Sequence, residues 1–243
     1  MKLTGKTALI TGGGTGIGAA CAVALAGEGC RVAITGRREE PLKETAAQFS
    51  GEPPLLTQRA DVADRESVAH LFEWARGELG PIDILVNSAG VNIPNRSMAE
   101  LSPEDWEQLL RVNATGTYNC IHAVLPEMRA RRDGVIVIIS SVAGIRPSLI
   151  GGVAYNASKF AVSALGLTVA QEVKDEGIRI TNVYPGEVET PILDNRPVPV
   201  SDEHRARILQ PQDVAEAVLM VASLSPRANI SELVIKPTTQ AFA

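Results

Sequence analysis

The stretch "TGGGTGIG" at residues 11–18 decides how this chain folds, together with the segments on either side of it. The residues before it, "TALIT" (7–11), form a short apolar run typical of a buried strand, and an alanine-rich helical run follows through about Gly27. Glycine lets a backbone turn tightly and approach a pyrophosphate, and the N-terminus of the next helix offers N–H groups to phosphates. The stretch therefore predicts a strand–turn–helix unit that binds a dinucleotide, with a tight turn that binds nothing as the alternative.

The rest of the chain repeats this alternation of short apolar strands and longer helical segments. Further strand-like runs are "RVAITG" (31–36), "LLTQRADV" (55–62), "IDILVNSAG" (82–90), "GVIVIISS" (134–141), "IRITNVYPG" (178–186) and "SELVIKP" (231–237). Helical segments begin near Glu39 and cover about 64–79, 103–131, 154–175 and 211–223. Near-continuous apolar strands between helices are typical of a parallel sheet covered on both faces. We therefore predict an α/β fold of the Rossmann type, a doubly wound parallel sheet of about seven strands. No composition break or repeat divides the chain, so we expect a single domain over residues 1–243.

Composition narrows the class of partner. The formal net charge is −5 and the sequence pI is near 5.3, which gives no basic field for nucleic acid. No apolar stretch approaches the ~18 residues of a membrane span, and no charged leader opens the chain, so we expect a cytoplasmic protein.

The cysteines show no metal or redox spacing, so we expect no metal site and three thiols that are buried or half-buried, namely Cys21, Cys30 and Cys120. The histidines share no motif, and we expect ordinary surface or packing roles for His70, His122 and His204.

The end of the second strand bears on the choice of nucleotide. Enzymes that use NAD usually carry an acidic residue near this point, where it bonds the ribose 2′-hydroxyl. Here the strand ends in "TGRRE", with Arg37 and Arg38 and no carboxylate in that place. An arginine can pair with a 2′-phosphate through two hydrogen bonds. NADP(H) is therefore favoured and NAD(H) stays possible, while Arg38 also suits a solvated helix start.

A tyrosine and a lysine lie one helical turn apart in "AYNASKFA" (154–161). The i, i+4 spacing puts Tyr155 and Lys159 on one helix face. A free tyrosine has a pKa near 10 and is a poor base at neutral pH, but a nearby ammonium and a positively charged nicotinamide both favour the phenolate. Lowering this pKa to ~7 takes roughly 4 kcal/mol. The pair is compatible with a proton-transfer site, although an incidental pair on an amphipathic helix is the better explanation when the pair is taken alone.

Several motifs occur together in a fixed order, and the chain as a whole resembles the short-chain dehydrogenase/reductase family. They are "TGGGTGIG", "DV" (61–62), "NSAG" (87–90), Asn113 in "VNATG", "ISS" (139–141), "YNASK" (155–159) and "YPGEVETP" (184–191). The resemblance implies an oxidoreductase that interconverts a carbonyl and an alcohol, with the hydride carried by the nicotinamide. It implies a catalytic tetrad of Asn113, Ser141, Tyr155 and Lys159.

Each member of this tetrad has an implied role. Tyr155 would exchange a proton with the substrate oxygen, and Ser141 would hydrogen-bond that oxygen. Lys159 would bond the nicotinamide ribose and lower the pKa of Tyr155, and Asn113 would hold a water molecule. Ser140 stays open as the catalytic serine, because the spacing from Ser141 to Tyr155 is one residue longer than is usual in the family.

The resemblance also implies the contacts of the cofactor. The glycine loop would contribute Gly12, Gly14, Thr15, Gly16, Ile17 and Gly18, and the strand ends would contribute Arg37, Arg38, Asp61, Val62, Asn87, Ala89 and Gly90. Asp61 and Val62 would touch the adenine. Pro185, Gly186, Val188 and Thr190 would hold the nicotinamide carboxamide, beside Tyr155 and Lys159.

The substrate side is less defined by the sequence. We expect a mixed pocket rim that includes Ile93, Leu149, Ile150, Glu187 and Ile192, and a lid or substrate loop at about 187–208. Arg146 either attracts an anionic substrate or is a solvated loop residue. A small-molecule carbonyl or alcohol suits this rim.

Relatives commonly form homo-oligomers, either a tetramer or a dimer, through the two long helices. A sensor or scaffold that binds NADP without turnover is the remote alternative.

Overall fold

The computed structural model describes residues 1–241 and contains one sheet of seven parallel strands in the order β3-β2-β1-β4-β5-β6-β7. The strands are β1 Thr7–Thr11, β2 Arg31–Gly36, β3 Leu56–Arg59, β4 Ile84–Asn87, β5 Gly134–Ile139, β6 Ile178–Pro185 and β7 Glu232–Ile235. The helices are α1 Gly16–Gly27, α2 Glu39–Ala47, α3 Arg65–Leu79, α4 Pro103–Leu109, α5 Gly116–Arg131, α6 Val153–Val173, α7 Asp202–Arg205 and α8 Pro211–Ala222. The predicted doubly wound parallel sheet is confirmed.

Strands β1 and β2 have the predicted bounds, whereas β3 to β7 are shorter than the apolar runs suggested. β4 stops at Asn87 and β5 at Ile139, so the polar residues that follow belong to loops. The long helical stretch predicted at 103–131 is also divided. A π-helical turn at Leu110–Thr115 separates α4 from α5. Such wide turns are frequent at functional sites, and this one contains Asn113.

Each face of the sheet is covered by its own apolar layer. Successive strand residues point to opposite faces, so Leu9 packs in one layer and Ile10 in the other. Helices α1 and α8 cover the face of Ile10, and α3, α5 and α6 cover the face of Leu9. Burying a leucine or isoleucine in such a layer contributes roughly 1.5–3 kcal/mol relative to leaving it exposed. The two layers fix the strand ends in space and therefore fix the loops that follow them.

The predicted burial of the three cysteines is confirmed. Cys21, Cys30 and Cys120 are free and buried, and burial raises the pKa of each thiol to about 12. Across residues 1–241, no helix is long and apolar enough to cross a membrane.

The order of the strands determines where a ligand can bind. The sheet grows outward from β1 in both directions, through β2 on one side and β4 on the other. At such a switch point the loops after the two central strands diverge and leave a crevice at their carboxyl ends. The loops after β5 and β6 overhang the same edge because all strands are parallel.

Candidate active site

A cleft of about 640 Å³ opens at the carboxyl edge of the sheet. Its walls come from the loops that follow β1, β2, β4, β5 and β6 and from the start of α6. Segments far apart in the chain therefore meet around one space. Most of the residues that we predicted from the motifs lie on these walls, and the exceptions are given below.

The glycine turn after β1 is shaped by close backbone approach. Gly12 has φ +65°, and a Cβ placed on it would lie 2.8 Å from the Cα atom of Ala89. Gly16 has φ +55°, and its Cβ would lie 2.9 Å from Cγ2 of Thr190. Only glycine fits both positions without strain. The turn thus brings the backbone against the loops after β4 and β6 and leaves a smooth cradle.

The N-terminus of α1 points into this cradle. Its N-cap residue Thr15 makes no side-chain capping bond, so N–H groups of the first turn remain for a ligand. Thr15, Gly16 and Ile17 line the cleft with Gly12. Gly14 and Gly18 do not line the cleft: Gly14 packs on Pro41, and Gly18 packs against the carbonyl of Gly12. These two glycines shape the turn from behind.

Three arginines gather at the end of β2. Arg37 and Arg38 line the cleft as predicted, and Arg59 shares a shallow depression with them. Nε of Arg59 donates to the carbonyl oxygen of Arg37 at 3.0 Å. Sequence reasoning missed Arg59, because only the pairing of β2 with β3, in which Gly36 faces Arg59, brings it here.

The end of β4 holds a buried amide with unmet hydrogen bonds. Asn87 is buried and, unlike Gly90, does not line the cleft, and in the chain from residue 1 to 241 neither its Nδ2 nor its Oδ1 has a hydrogen-bond partner. Its predicted contact with the cofactor stays a prediction. Gly90 lines the cleft, whereas Ala89 lies behind it and donates its N–H to Oγ1 of Thr11 at 3.1 Å.

Asp61 and Val62 do not line the cleft. They follow β3 in a loop that is stabilised internally. Oδ1 of Asp61 accepts from the N–H of Ala63 at 2.9 Å, and the carbonyl of Val62 accepts from Nδ2 of Asn119 at 2.9 Å. Their predicted contact with the adenine stays a prediction.

Tyr155 and Lys159 project from the first turns of α6 into the cleft. Burial raises the pKa of the Tyr155 phenol, while a hydrogen bond with Ser141 and the charge of Arg96 act in the opposite direction. Burial lowers the pKa of Lys159 to about 8. Its Nζ lies 5.7 Å from the centroid of the Tyr155 ring and donates to the carbonyl of Ile139 at 2.9 Å.

Two cations lie near the phenol of Tyr155. The charge of Arg96 lowers its pKa. The ammonium of Lys159 lies near the ring and donates to the backbone of β5, and its predicted lowering of the pKa of Tyr155 stays a prediction. The net pKa of Tyr155 is raised, so burial outweighs both opposing influences.

The two candidate serines have different surroundings. Ser140 is buried, and its hydroxyl lies 3.2 Å from the carbonyl of Lys159 and 3.0 Å from Oγ of Ser163. Ser141 hydrogen-bonds Tyr155, and its Oγ also accepts from the N–H of Ala143 at 3.1 Å. Ser141 therefore faces the tyrosine, and Ser140 ties the end of β5 to α6.

Asn113 is buried and does not line the cleft, and it connects the loop after β4 to α6. Its Oδ1 accepts from the N–H of Val91 at 2.8 Å, and its Nδ2 donates to the carbonyl of Val91 at 3.0 Å and to Oγ of Ser158 at 2.9 Å. Ser158 in turn donates to the carbonyl of Tyr155 at 2.8 Å. The side chain thus positions the turn that carries Tyr155, and its predicted role in holding a water molecule stays a prediction.

The loop after β6 supplies the opposite wall. The predicted carboxamide contacts Pro185, Gly186, Val188 and Thr190 all line the cleft. So do four of the five predicted substrate residues, namely Ile93, Ile150, Glu187 and Ile192. Leu149 is the exception: it is 99% exposed and lies outside the cleft, because the turn closed by Ser148 places it at the loop tip.

Arg96 is the cleft residue of greatest interest that sequence reasoning missed. It is only 7% exposed, and its guanidinium bonds three separate loops. Nε donates to the carbonyl of Ile93 at 2.6 Å, Nη1 to that of Ile150 at 2.5 Å and Nη2 to that of Asn195 at 2.9 Å. A single arginine in "PNRSM" carries no local signal for this role.

Ion pairs order the segment predicted as a lid. Glu187 pairs with Arg196 at 3.0 Å and with Nε2 of His204 at 2.6 Å. Arg205 pairs with Glu189 at 2.5 Å and with Asp194 at 2.8 Å. The segment contains a 3₁₀ turn at Pro191–Asn195 and the short helix α7.

The fold and the cleft define a dinucleotide-binding α/β protein, and comparison with known proteins narrows this class. The family model described as short chain dehydrogenase matches residues 6–198, and the chain belongs to this family. An uncharacterized oxidoreductase of Staphylococcus saprophyticus is 34% identical over 239 residues, which cover 98% of this chain and 99% of that protein. The chain is an oxidoreductase of the type that acts on CH–OH and C=O groups.

Two solved structures indicate the kind of cofactor. One is the closed form of a serine dehydrogenase complexed with NADP⁺, with a TM-score of 0.87 and 32% identity, covering 98% of this chain and 97% of that one. The other is a 3-ketoacyl-(acyl-carrier-protein) reductase from Brucella melitensis complexed with NADH, with a TM-score of 0.87 and 28% identity, covering 96% and 98%. A nicotinamide cofactor is common to both. The glycine cradle and the free N-terminus of α1 both fit such a group.

Proposed function

We propose that this protein is an NADP(H)-dependent oxidoreductase that interconverts a small carbonyl compound and its alcohol. One observation carries the proposal: Ser141, Tyr155 and Lys159 meet on the wall of the same cleft that the glycine turn opens onto. A proton-transfer site and a dinucleotide cradle thus share one space. The mixed polar and apolar lining suits a small organic substrate.

The chemistry follows from the state of each group. When bound, NADP(H) supplies or accepts the hydride. Because burial raises the pKa of Tyr155, its phenol keeps its proton at neutral pH and acts as a general acid toward a carbonyl oxygen. Ser141 orients that oxygen through a second hydrogen bond. The protonated phenol serves as the proton donor in the reductive direction, and the phenolate would serve as the proton acceptor in the reverse direction.

Lys159 has a positioning and electrostatic role in this proposal. With a pKa of about 8 it is mostly charged at pH 7. Nζ uses one of its three N–H groups on Ile139, and the others are available to ribose hydroxyls. Asn113 supports this arrangement by anchoring the first turn of α6 through Ser158.

The preference for NADP(H) rests on charge at the end of β2. Arg37 and Arg38 line the cleft there, and Arg59 adds a third guanidinium. A 2′-phosphate binds such a cluster through charge-assisted hydrogen bonds. The NADP⁺ complex of the serine dehydrogenase relative agrees with this choice. NAD(H) is the alternative, since the reductase relative is described as complexed with NADH.

The remaining contacts complete the proposal. Asn87, Ala89 and Gly90 would border the adenosine ribose, and Asp61 and Val62 would border the adenine.

We also propose that residues of about 187–208 act as a lid, which the ion pairs of Glu187 and Arg205 would hold in place. Exposed aromatic side chains on α5 and α6 support a homo-oligomer, since Tyr118 and Phe160 are each 41% exposed.

The first test is a fluorescence titration of the purified protein with NADPH and with NADH. NADPH should bind at least about tenfold more tightly, equivalent to about 1.4 kcal/mol. Arg37→Ala should weaken NADPH binding and leave NADH binding unchanged, whereas Arg227→Ala, at an exposed residue outside the cleft, should change neither. Tighter binding of NADH by the wild type would contradict the role of Arg37.

The second test separates an enzyme from a sensor. Tyr155→Phe should lower kcat by about 100- to 10,000-fold, because the proton donor is lost, while the affinity for NADPH is kept. Tyr118→Phe, at an exposed tyrosine of α5, is the matched control and should keep full activity. Unchanged turnover in Tyr155→Phe would refute the proposed mechanism. If the wild type binds NADPH but turns over no carbonyl or alcohol, the sensor is the better description.

A further inference from the structure

The substrate side of the cleft carries an excess of positive charge. Arg96 and Arg196 line it, and Glu187 is the carboxylate among the described lining residues. Glu187 is already engaged by Arg196 at 3.0 Å and by His204 at 2.6 Å. Its charge is therefore shared by two basic groups. In the part of the chain that the structure describes, Arg96 has no carboxylate in a salt bridge with it.

Arg96 keeps part of its hydrogen-bonding capacity. A guanidinium has five N–H groups, and three of those of Arg96 donate to backbone carbonyls. One N–H on each of the two terminal nitrogens has no hydrogen bond to the described residues. Hydrogen bonds from a guanidinium to a carboxylate are charge-assisted and therefore strong.

Two positive charges also lie close to each other here. Burial lowers the pKa of Arg96, and the charge of Arg196 lowers it further. The carbonyl of Asn195, the residue before Arg196, accepts from Nη2 of Arg96 at 2.9 Å, so the backbone holds the two arginines together. Like charges in a partly buried wall repel each other, and a bound anion would relieve this repulsion.

Arg96 also lies close enough to the reacting group to matter. It lines the same cleft as Tyr155, and its charge acts on the Tyr155 phenol. The carbonyl of Arg96 also accepts from the N–H of Val153, two residues before Tyr155, at 3.1 Å. A molecule bound between Arg96 and Tyr155 would carry an anionic group and a carbonyl or hydroxyl group, as oxo acids and hydroxy acids do.

We propose that the substrate is a small oxo acid, or the corresponding hydroxy acid, and that Arg96 binds its carboxylate with Arg196 adding charge. This inference rests on the proposed function. In the reductive direction Tyr155 would pass its proton to the carbonyl oxygen, and a bound NADPH would supply the hydride to the carbonyl carbon. The oxo acid would become a hydroxy acid, with NADP⁺ as the other product.

The test compares acids with matched neutral amides. Pyruvate, acetoacetate and levulinate place the carbonyl at three distances from the carboxylate, and each is assayed beside its primary amide. For at least one pair, kcat/KM of the wild type should be about 10- to 100-fold higher for the acid. Arg96→Met should bring this acid-to-amide ratio close to 1, and Arg96→Lys should restore part of it. Arg227→Met is the control and should leave the ratio unchanged.

The acid-to-amide ratio of kcat/KM distinguishes two roles of Arg96, namely binding the carboxylate and holding the three loops together. If Arg96 only ties the three loops together, Arg96→Met lowers the rates of acid and amide equally, and the proposal is overturned. If Arg96→Met fails to fold, Arg96→Lys and Arg196→Gln take its place in the test. Each of these variants should weaken the binding of the carboxylate and therefore lower the acid-to-amide ratio of kcat/KM. A wild type that prefers every amide also overturns the proposal. The proposal is also overturned if the wild type prefers dihydroxyacetone phosphate to dihydroxyacetone but shows no preference for any acid over its amide. The site would then bind phosphate.

A binding measurement distinguishes this inference from the proposed function. Butyrate should inhibit competitively against the carbonyl substrate and should bind the NADP⁺ complex in calorimetry at least about tenfold more tightly than butyramide. Arg96→Met should remove this difference. Butyrate binding that depends on Arg96, in a protein that turns over no carbonyl compound, would support the anion site and refute the proposed function. If the protein turns over neutral ketones but binds butyrate and butyramide equally, the proposed function is supported and the anion site is refuted.

Discussion

The adjacent serines at the end of β5 allow a paired prediction, because their hydroxyl groups have separate surroundings. Ser141 faces Tyr155, and its hydrogen bond opposes the rise that burial causes in the pKa of the phenol. Ser141→Ala removes this bond and the bond that orients the substrate oxygen. Losing one such donor costs about 100- to 1,000-fold in kcat. The stability cost should be about 1 kcal/mol, because the Ser141 hydroxyl also caps the 3₁₀ turn at Val142–Gly144.

Ser140→Ala should show the reverse pattern. The Ser140 hydroxyl is buried against the carbonyl of Lys159 and the hydroxyl of Ser163. Removing it leaves buried polar groups short of a partner, which costs about 1–3 kcal/mol in the free energy of unfolding. Its kcat should stay within about threefold of the wild type, because Ser140 does not contact the reacting oxygen in the proposed mechanism.

Two measurements check this pair. Steady-state kinetics with NADPH and a carbonyl substrate give kcat, and urea denaturation gives the free energy of unfolding. The reasoning is refuted if Ser140→Ala abolishes turnover while its stability is unchanged. It is equally refuted if Ser141→Ala keeps a kcat within about threefold of the wild type. Either result would make Ser140 the better candidate for the catalytic serine.

Two further predictions concern buried charge and the glycine turn. Burial lowers the pKa of Lys159 from 10.5 to about 8, so the unfolded chain binds the extra proton between these values. The unfolding free energy should therefore rise by about 3 kcal/mol more in the wild type than in Lys159→Met from pH 8 to 10.5, measured by urea denaturation. Parallel pH profiles would mean that the lysine is not destabilised by burial. Gly12→Ala should weaken NADPH binding at least about tenfold, because its Cβ would meet the backbone of Ala89 and its φ is positive. Gly27→Ala, with open space around it in α1, is the control and should bind NADPH normally in the same titration; equal affinities in the two variants would contradict the cradle.

Local signals in the sequence predicted the main features of the fold and of the site. Short apolar runs indicated the strands because a strand buried on both faces needs them. The glycines of residues 12–18 indicated a turn that no other residue type could make. The Tyr155–Lys159 pair was visible because helical spacing alone places both side chains on one face.

The sequence was a poor guide wherever the outcome depends on distant parts of the chain. Arg96 gained its role from carbonyls 54 and 99 residues further along. Arg59 reached the cofactor end of the cleft only through the pairing of β3 with β2. Leu149 was expected in the pocket and lies at a loop tip instead, because turn geometry and not hydrophobicity directs it.

The sequence by itself determined the alternation of strands and helices, the dinucleotide turn and the Tyr–Lys pair, since each depends on interactions within a few residues. The tertiary structure alone decided which serine faces Tyr155 and which arginines line the cleft. These properties depend on burial and on distances between loops. Both arise only when the two apolar layers close on the sheet and bring the loops to one edge.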